Sequence, residues 1–344
     1  MTDLGMHGGP DARGTPAHDF STNANACGPC PPVLEGVRAA DASRYPDPQY
    51  TALRERLAAF HGVGRERVVV AASASEFIVR ITAAAAAEGP GAVWVPALAY
   101  GDYARAARAR GLAVQVAELA APEPAVCLAW GCEPSTPLGQ DDPGLAAQVD
   151  AWTADRPFVL DRAYAPLRLD RSSAASLGPD RLARVWQLCS PNKALGLTGV
   201  RGGYAIAPRD ASLALLARVQ ALAPSWPLGA HAVAMLQAWT EAPARDWLAA
   251  CLPVLSAWKR RQEALCASLG WVPMPSVANF FCARWPADVP MDAGLEHLRA
   301  AGIKLRDCAS FGLAGCVRVG VLPPASQDAL AAAWRALRGR RAGA

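Results

Sequence analysis

Lysine is the scarce residue in this sequence. Of 34 basic residues, only Lys193, Lys259 and Lys304 are lysines, so where the chain needs positive charge alone it uses arginine. A desolvated lysine amine can lose its proton and attack a carbonyl group, which arginine cannot do. The setting of each lysine therefore calls for an explanation.

Other absences exclude classes of protein. The chain has no run of about 18 apolar residues free of charge or proline, so we expect no membrane span. Residues 1–14 lack the basic and apolar regions of a secretory signal, and we expect a cytoplasmic protein whose ten cysteines are reduced. With a net charge of +4 and no long basic run, nucleic acid is not the expected partner.

Length and composition predict one large domain and one smaller domain. The chain has 344 residues, of which 52% are hydrophobic, enough to fill a sizeable core. Residues 1–33 are rich in glycine, proline and asparagine and are interpreted as an extended arm. We assign residues 34–235 to the large domain and residues 236–344 to a small α+β domain.

Strands and helices alternate through the large domain. Seven short apolar runs are interpreted as buried strands: Val68–Ala71, Ala92–Val95, Ala113–Val116, Ala125–Trp130, Phe158–Leu160, Val185–Leu188 and Gly203–Ala207. Helical stretches lie between several of them, which predicts an α/β fold with a seven-stranded, mostly parallel sheet. Ligands of such sheets bind at the carboxyl ends of the strands. After residue 210 the pattern is helical and includes a long helix at Trp247–Leu269.

Lys193 lies in an apolar run punctuated by glycines. Gly196, Gly199, Gly202 and Gly203 permit a tight loop that could hold Ser190, Lys193 and Arg201 together. A lysine that forms a Schiff base beside a phosphate-binding serine and arginine describes a pyridoxal 5'-phosphate (PLP) site. The alternative is a surface lysine in a loop.

Three further groups follow predicted strands. Ser73–Glu76 opens a helix whose amino end could bind a phosphate, or the serine could simply cap it. Tyr100 and Tyr103 could stack on a planar cofactor or pack in the core. Asp161 could pair with a protonated pyridine nitrogen or with a nearby arginine.

Cys27-Gly28-Pro29-Cys30 has the C-x-x-C spacing of a redox motif. Such a motif follows a strand and opens a helix, but here it follows a polar stretch and runs into Pro31 and Pro32. A zinc site would need a second pair, which the sequence lacks, so we predict no metal site. We interpret the spacing as incidental; a redox protein built on these cysteines is the alternative.

Taken together, these motifs resemble those of class I/II, fold-type-I PLP enzymes, in the branch of histidinol-phosphate aminotransferases and threonine-phosphate decarboxylases. The resemblance covers nearly the whole chain, in the family's order. It rests on Asp19-Phe20-Ser21-Thr22-Asn23-Ala24-Asn25, Tyr45-Pro46-Asp47-Pro48, Ser73-Ala74-Ser75-Glu76, Asp161-x-Ala-Tyr164, the Lys193 to Arg201 stretch, Ala278-Asn279-Phe280 and Val317-Arg318-Val319.

The resemblance implies a role for each matching residue. Lys193 would form the Schiff base and move the proton, with Asp161 on the pyridine nitrogen and Tyr164 on the ring hydroxyl. Tyr100 would stack on the ring. The phosphate would be held by Ala74, Ser75, Ser190 and Arg201, and by Tyr45 from the second subunit of a homodimer. Arg318 would bind the substrate α-carboxylate, with Asn25 in the same pocket.

Two positions depart from the family pattern. Thr136 stands where the family has an asparagine that bonds the ring hydroxyl, and threonine is shorter. Arg162 replaces the usual acidic neighbour of the aspartate. Arg306 could contact a distal substrate group or form a structural ion pair.

The resemblance implies an aminotransferase that moves an amino group between an amino compound and a 2-oxo acid. A decarboxylase of threonine-phosphate type stays open, because His7-Gly8-Gly9 followed by Asp19-Phe20-Ser21 is similar to the start of those enzymes. Both reactions use the same cofactor contacts. A PLP-binding regulator without turnover would need a fused DNA-binding domain, for which the chain has no room.

Overall fold

A computed structural model of the protein describes residues 7–116, 125–153, 156–170 and 177–342. Its strands are β1 (His18–Asp19), β2 (Val68–Ala71), β3 (Ala92–Val95), β4 (Ala113–Val116), β5 (Val126–Cys132), β6 (Phe158–Asp161), β7 (Trp186–Cys189), β8 (Gly203–Ile206), β9 (Val272–Pro273), β10 (Phe280–Arg284), β11 (Ile303–Lys304), β12 (Arg306–Asp307) and β13 (Cys316–Gly320).

The helices alternate with these strands. They are α1 (Pro31–Arg38), α2 (Thr51–His61), α3 (Ala74–Ala86), α4 (Gly101–Ala109), α5 (Leu145–Ala151), α6 (Pro179–Leu182), α7 (Leu213–Ala221), α8 (Ala230–Trp239), α9 (Ala242–Ser268), α10 (Met291–Ala300) and α11 (Pro324–Ala342). Short 3-10 turns lie at Arg65–Arg67, Ala165–Leu167 and Ala309–Phe311. No helix in the described ranges is long and apolar enough to cross a membrane.

All seven predicted strands form one sheet, in the order β2-β8-β7-β6-β5-β3-β4. The expected mostly parallel sheet is confirmed, since only β8 runs antiparallel to its neighbours β2 and β7. Successive residues of a strand face opposite sides of the sheet. Val68 and Val70 accordingly pack with α1, α2, α8 and the start of α9, whereas Val69 and Ala71 pack with α3, α4 and α7.

The small domain is built on a four-stranded antiparallel sheet, in the order β12-β13-β10-β9. Three tryptophans, Trp271, Trp285 and Trp334, form its core, with ring centroids 4.8–5.1 Å apart. The arm joins this domain because β1 pairs in parallel with β11.

The long helix α9 begins five residues before the predicted start at Trp247, at Ala242. A proline in its first turn is tolerated there because the amides of a first turn have no intrahelical acceptor. Its first half packs in the core beneath the large sheet, through Leu248 and Leu255, and its end packs in the tryptophan core, through Cys266. One helix therefore connects the two cores.

The packing of the tryptophan core predicts that replacing glycine by alanine affects stability differently at two helical glycines. A Cβ on Gly294 would lie 2.3 Å from Trp285 Cζ2, and Trp285 is held by a 2.9 Å bond from its Nε1 to the Val289 carbonyl. We expect Gly294→Ala to cost about 1–3 kcal/mol and to lower the melting temperature by a few degrees.

Gly339 of α11 is the matched control, because nothing lies within 4 Å of its Cβ position. Gly339→Ala should leave stability unchanged or raise it by up to about 1 kcal/mol through helix propensity. Equal melting temperatures for the two variants in differential scanning calorimetry would contradict the packing described for Trp285.

Candidate active site

The antiparallel strand β8 brings three predicted phosphate-binding segments together. Because β8 runs opposite to its neighbours, its first residue lies beside the carboxyl ends of β2 and β7. A Cβ on Gly203 would lie 3.0 Å from the Cys189 carbonyl oxygen and 3.5 Å from the Ala74 nitrogen. The start of α3, Ser190 after β7 and Arg201 before β8 therefore meet at one end of the sheet.

This meeting point suits an anion. Ser73 caps α3 by accepting a 3.1 Å bond from the Glu76 amide, so the capping interpretation is confirmed, and it leaves the Ala74 and Ser75 amides at the positive helix end. The Ser190 hydroxyl is buried and has no hydrogen-bond partner in the described part of the chain. Arg201, two residues before β8, is exposed.

Asp161 ends the central strand β6 and is buried. Tyr103 donates a 2.8 Å hydrogen bond to its Oδ2, and the Ala163 amide donates a 2.9 Å bond to its Oδ1. Burial raises the pKa of Asp161, while these two bonds and the nearby Lys193 charge lower it. A cation placed against this carboxylate would oppose the effect of burial.

The alternative arginine partner for Asp161 does not appear among the described residues. The neighbouring Arg162 donates instead to Gln187 Oε1, at 2.5 Å. Tyr103 holds its place by stacking on Trp130, with ring centroids 4.3 Å apart and an angle of 6°. From the sequence, Tyr103 could stack on a cofactor or pack in the core. Its hydrogen bond to Asp161 is the contact that distinguishes it from an ordinary core aromatic.

Lys193 lies in a loop to which residues of the N-terminal arm are hydrogen-bonded. The Asn25 amide donates to the Lys193 carbonyl at 2.9 Å, and Asn25 Nδ2 donates to the Ala194 carbonyl at 3.0 Å. Gly196 has a φ of 67°, and a Cβ there would lie 2.5 Å from the Gly28 carbonyl oxygen. The lysine is half-buried, with its Nζ 5.2 Å from the centroid of the Tyr164 ring.

The Cys27–Cys30 segment also joins the arm to the Lys193 loop. The Cys30 amide donates to the Leu195 carbonyl at 2.8 Å, and Cys30 precedes the first turn of α1. Burial beside Cys251 raises the pKa of Cys27 to about 12, which keeps it a thiol at neutral pH. This disfavours the redox alternative, since thiolates are the reactive form.

The small domain completes the pocket with Arg318. Its Nη1 donates to Thr136 Oγ1 at 3.0 Å and its Nη2 donates to the Ser21 carbonyl at 3.2 Å. Its guanidinium lies between the rings of Phe280 and Phe311, 5.6 Å and 5.5 Å from their centroids. Thr136, expected at the ring hydroxyl, thus accepts a hydrogen bond from Arg318 in this structure.

Asn23 is a pocket residue that sequence reasoning did not single out. Its Nδ2 donates to the Tyr164 hydroxyl at 3.3 Å, and its buried Oδ1 has no partner among the described residues. Asn25, which was selected instead, bonds the Lys193 loop and the Cys27 amide. The two asparagines are separated only by Ala24, and no local signal in the sequence distinguishes their roles.

The two remaining candidates differ in position. The Tyr100 hydroxyl lies 3.3 Å from Ser75 Oγ, and its ring meets Tyr103 edge-on. Burial raises the pKa of Tyr100, so it stays protonated. Tyr45 is 78% exposed and stacks on Trp226 at the surface, with ring centroids 4.5 Å apart.

Comparison with known proteins assigns the chain to a family. The model of the family described as aminotransferase class I and II matches residues 17–126 and 150–337. This chain belongs to that family. It is an enzyme of the transaminase type, and its cofactor is PLP.

Individual relatives cover most of this aminotransferase. Histidinol-phosphate aminotransferase 2 of Caulobacter vibrioides is 32% identical over 338 residues, which cover 91% of this chain and 84% of the relative. Histidinol-phosphate aminotransferase of Jannaschia sp. (strain CCS1) is 28% identical over 333 residues, which cover 92% of this chain and 90% of the relative.

Solved structures share the fold-type-I architecture. Histidinol-phosphate aminotransferase of Sinorhizobium meliloti, in complex with PLP, has a TM-score of 0.74 at 22% identity, covering 94% of this chain and 92% of that one. L-threonine-O-3-phosphate decarboxylase of Porphyromonas gingivalis has a TM-score of 0.78 at 21% identity, covering 93% and 99%. The predicted fold is confirmed.

The residues present fit the cofactor. The Ser190 hydroxyl, which has no partner in the described ranges, and the amides of α3 could together hold a phosphate next to Gly203. Asp161 offers a buried carboxylate to a cationic ring nitrogen, and Lys193 offers an amine on the Tyr164 side of the pocket.

Proposed function

We propose that this aminotransferase acts on an amino compound of the histidinol-phosphate type, with a 2-oxo acid as amino acceptor. The observation that carries the proposal is a pair of buried arginines on one face of the small sheet. Arg306 and Arg318 are direct cross-strand partners of β12 and β13, and they are 6% and 7% exposed. The names of the relatives support the same substrate class.

Two like charges opposite each other on a sheet repel, and burial increases the cost. Arg306 donates to the Asp307 carbonyl and to Ser310 Oγ, and its guanidinium lies 4.8 Å from the Phe311 centroid. Arg318 faces the same ring, and its hydrogen-bond acceptors are a hydroxyl and a carbonyl. An anionic substrate group with bidentate bonds to the Arg318 guanidinium would offset the cost of burying that charge.

The cofactor contacts follow from the site. Lys193 would hold PLP covalently, Asp161 would bond its ring nitrogen, and Tyr164 its ring hydroxyl. Tyr100 would lie on the ring, and the amides of Ala74 and Ser75, with Ser190 and Arg201, would bind the phosphate. When bound, PLP withdraws electrons from the substrate Cα.

The chain's own residues then move the proton. The Lys193 amine would take the proton from the substrate Cα as a general base and, as a general acid, would deliver it to the carbon of the cofactor's aldehyde group. Arg318 would fix the anionic group of the substrate, which is the phosphate of a histidinol-phosphate donor or the carboxylate of the 2-oxo acid, so that the Cα–H bond of the donor faces that amine. Holding the reacting groups in this geometry supplies much of the rate.

We also propose a homodimer with shared sites in the cytoplasm. Tyr45 and Trp226 form an exposed aromatic pair, which is a common feature of interfaces. Beside them lies a cavity of about 630 Å³ lined by Tyr50, Arg54, Arg80 and Trp226, among others. A second subunit seated here would bring its Tyr45 to the phosphate of the first.

The reaction is tested by incubating the PLP-loaded enzyme with single amino compounds and no oxo acid. We expect histidinol phosphate to give a carbonyl product in an amount no greater than the enzyme, with loss of the visible cofactor absorption. Lys193→Ala should give none. Common amino acids and phosphothreonine complete the panel.

Each outcome of this panel is decisive. Release of carbon dioxide from phosphothreonine, with the absorption retained, would mean a decarboxylase. Product from common amino acids but not from histidinol phosphate would overturn the proposed substrate class.

The Asp161 contact is tested with Tyr103→Phe, which keeps the ring on Trp130 but removes the hydrogen bond to the carboxylate. That bond lowers the pKa of Asp161, so its loss raises the pKa and the carboxylate protonates at higher pH. We expect PLP affinity to fall about tenfold at low pH, with the defect shrinking as pH rises.

Tyr204→Phe is the matched control, because the buried Tyr204 hydroxyl bonds His61 and Trp239 instead. Its PLP affinity, measured by absorption titration, should equal that of the wild type. A pH-independent defect in Tyr103→Phe would contradict the role of Asp161.

Site sharing is tested by mixing subunits. Lys193→Ala and Tyr45→Ala homodimers should both be weak. In a hybrid dimer the Tyr45→Ala subunit supplies Lys193 and the Lys193→Ala subunit supplies Tyr45, and together they form one intact site. Mixing should therefore restore activity up to the level of one site per hybrid dimer. Sedimentation should give twice the 36.0 kDa chain mass. A monomer, or no gain on mixing, would contradict the shared site.

A further inference from the structure

Two polar residues interrupt the buried stripe of α9 where the helix passes between the two cores. Leu255 belongs to the large-domain core and Cys266 to the tryptophan core. Between them, on the same face, lie Lys259 at 7% exposure and Gln262 at 0%. An apolar residue would be the ordinary occupant of either position.

The Lys259 ammonium donates a hydrogen bond to a backbone carbonyl. Its Nζ donates to the Ser276 carbonyl oxygen, and Glu263 Oε1 lies 3.8 Å away. Burial lowers the pKa of Lys259. Placing an ammonium here costs free energy that only specific contacts offset.

The segment that receives this bond is the meeting place of the two domains. The Val277 amide donates to the Gly139 carbonyl and the Leu169 amide to the Val277 carbonyl, each at 2.7 Å. Ser276 Oγ accepts from the Ala278 amide at 3.1 Å and bonds the Phe280 carbonyl at 2.5 Å. The segment from Ser276 to Phe280 is therefore internally braced.

Phe280, at the end of this segment, forms a wall of the active site. Its ring meets the Tyr164 ring edge-on, with centroids 4.7 Å apart, and the Arg318 guanidinium lies over it. Gln262 supports the other side by donating to the Gly320 carbonyl at 2.9 Å, two residues beyond Arg318.

We propose that Lys259 is a positioning residue for the substrate: its ammonium fixes the Ser276–Phe280 segment and so the Phe280 ring against which Arg318 and Tyr164 lie. The inference rests on the proposed role of Arg318 as the group that binds the substrate anion. The phosphate cradle lies at the ends of β2 and β7, on the large sheet, and does not depend on this bond.

The test compares Lys259→Met with wild type, using the amino donor found in the panel and a 2-oxo acid. Methionine fills similar volume but cannot donate to the Ser276 carbonyl. We expect KM for the donor to rise about tenfold while kcat stays within about threefold, as for a loss of uniform substrate binding. PLP affinity should stay at the wild-type value.

Two further variants keep the test decisive. Ser276→Ala removes the internal brace of the segment and should raise KM in the same sense, which covers the case in which Lys259→Met does not fold. Gly294→Ala destabilises the small domain without touching the segment, so its KM should stay at the wild-type value.

Arg318→Gln separates the two levels of the inference. If its KM rises but those of Lys259→Met and Ser276→Ala do not, the positioning role of Lys259 is wrong and the proposed function stands. If Arg318→Gln leaves KM unchanged, the assignment of the substrate anion itself is wrong. If Gly294→Ala raises KM as much as Lys259→Met does, lost stability explains the KM increase of Lys259→Met and the positioning role is wrong.

Discussion

The antiparallel insertion of β8 between β2 and β7 is the constraint on which the active site depends. In a purely parallel sheet the residues before a strand lie at the opposite edge from the residues after its neighbours. Reversal of β8 places Arg201, which precedes it, at the same edge as Ser73, Ala74 and Ser190. Gly203 suits this junction, because a Cβ there would lie only 3.0 Å from the Cys189 carbonyl oxygen and 3.5 Å from the Ala74 nitrogen.

The charges of the site follow from burial at this edge. Asp161 ends the most central part of the sheet, where desolvation favours its neutral form, and Tyr103 and Ala163 oppose that effect with hydrogen bonds. The result is a carboxylate that gains from any cation brought to it. On the other side of the pocket the buried Arg318 guanidinium lies against Phe280 and Phe311, and its hydrogen-bond acceptors are a hydroxyl and a carbonyl, which creates the opposite preference. The pocket is thus polarised before any ligand enters.

The sequence predicted much of this arrangement, because the signals involved are local. Seven apolar runs predicted seven strands, and the scarcity of lysine drew attention to Lys193. The long-range features were not predictable in the same way. The residues around Asn23 and Asn25 do not indicate which of the two bonds Tyr164. Likewise, the residues around Thr136 do not indicate that its hydroxyl accepts a hydrogen bond from Arg318. Such contacts depend on how the arm and the small domain pack on the sheet.

The three lysines illustrate why arginine does not replace them everywhere. Two of the ammoniums are used where a compact donor meets a defined atom: Lys304 Nζ bonds the Gly9 carbonyl at 2.6 Å and fastens the arm, and Lys259 bonds the Ser276 carbonyl. A guanidinium carries five donors on a rigid plane, and a buried site must satisfy most of them. The single Ser276 carbonyl that faces α9 could not satisfy a guanidinium, whereas an ammonium has only three donors to satisfy. The same compactness, with the ability to lose a proton, suits the Lys193 amine to the proton transfer proposed for it.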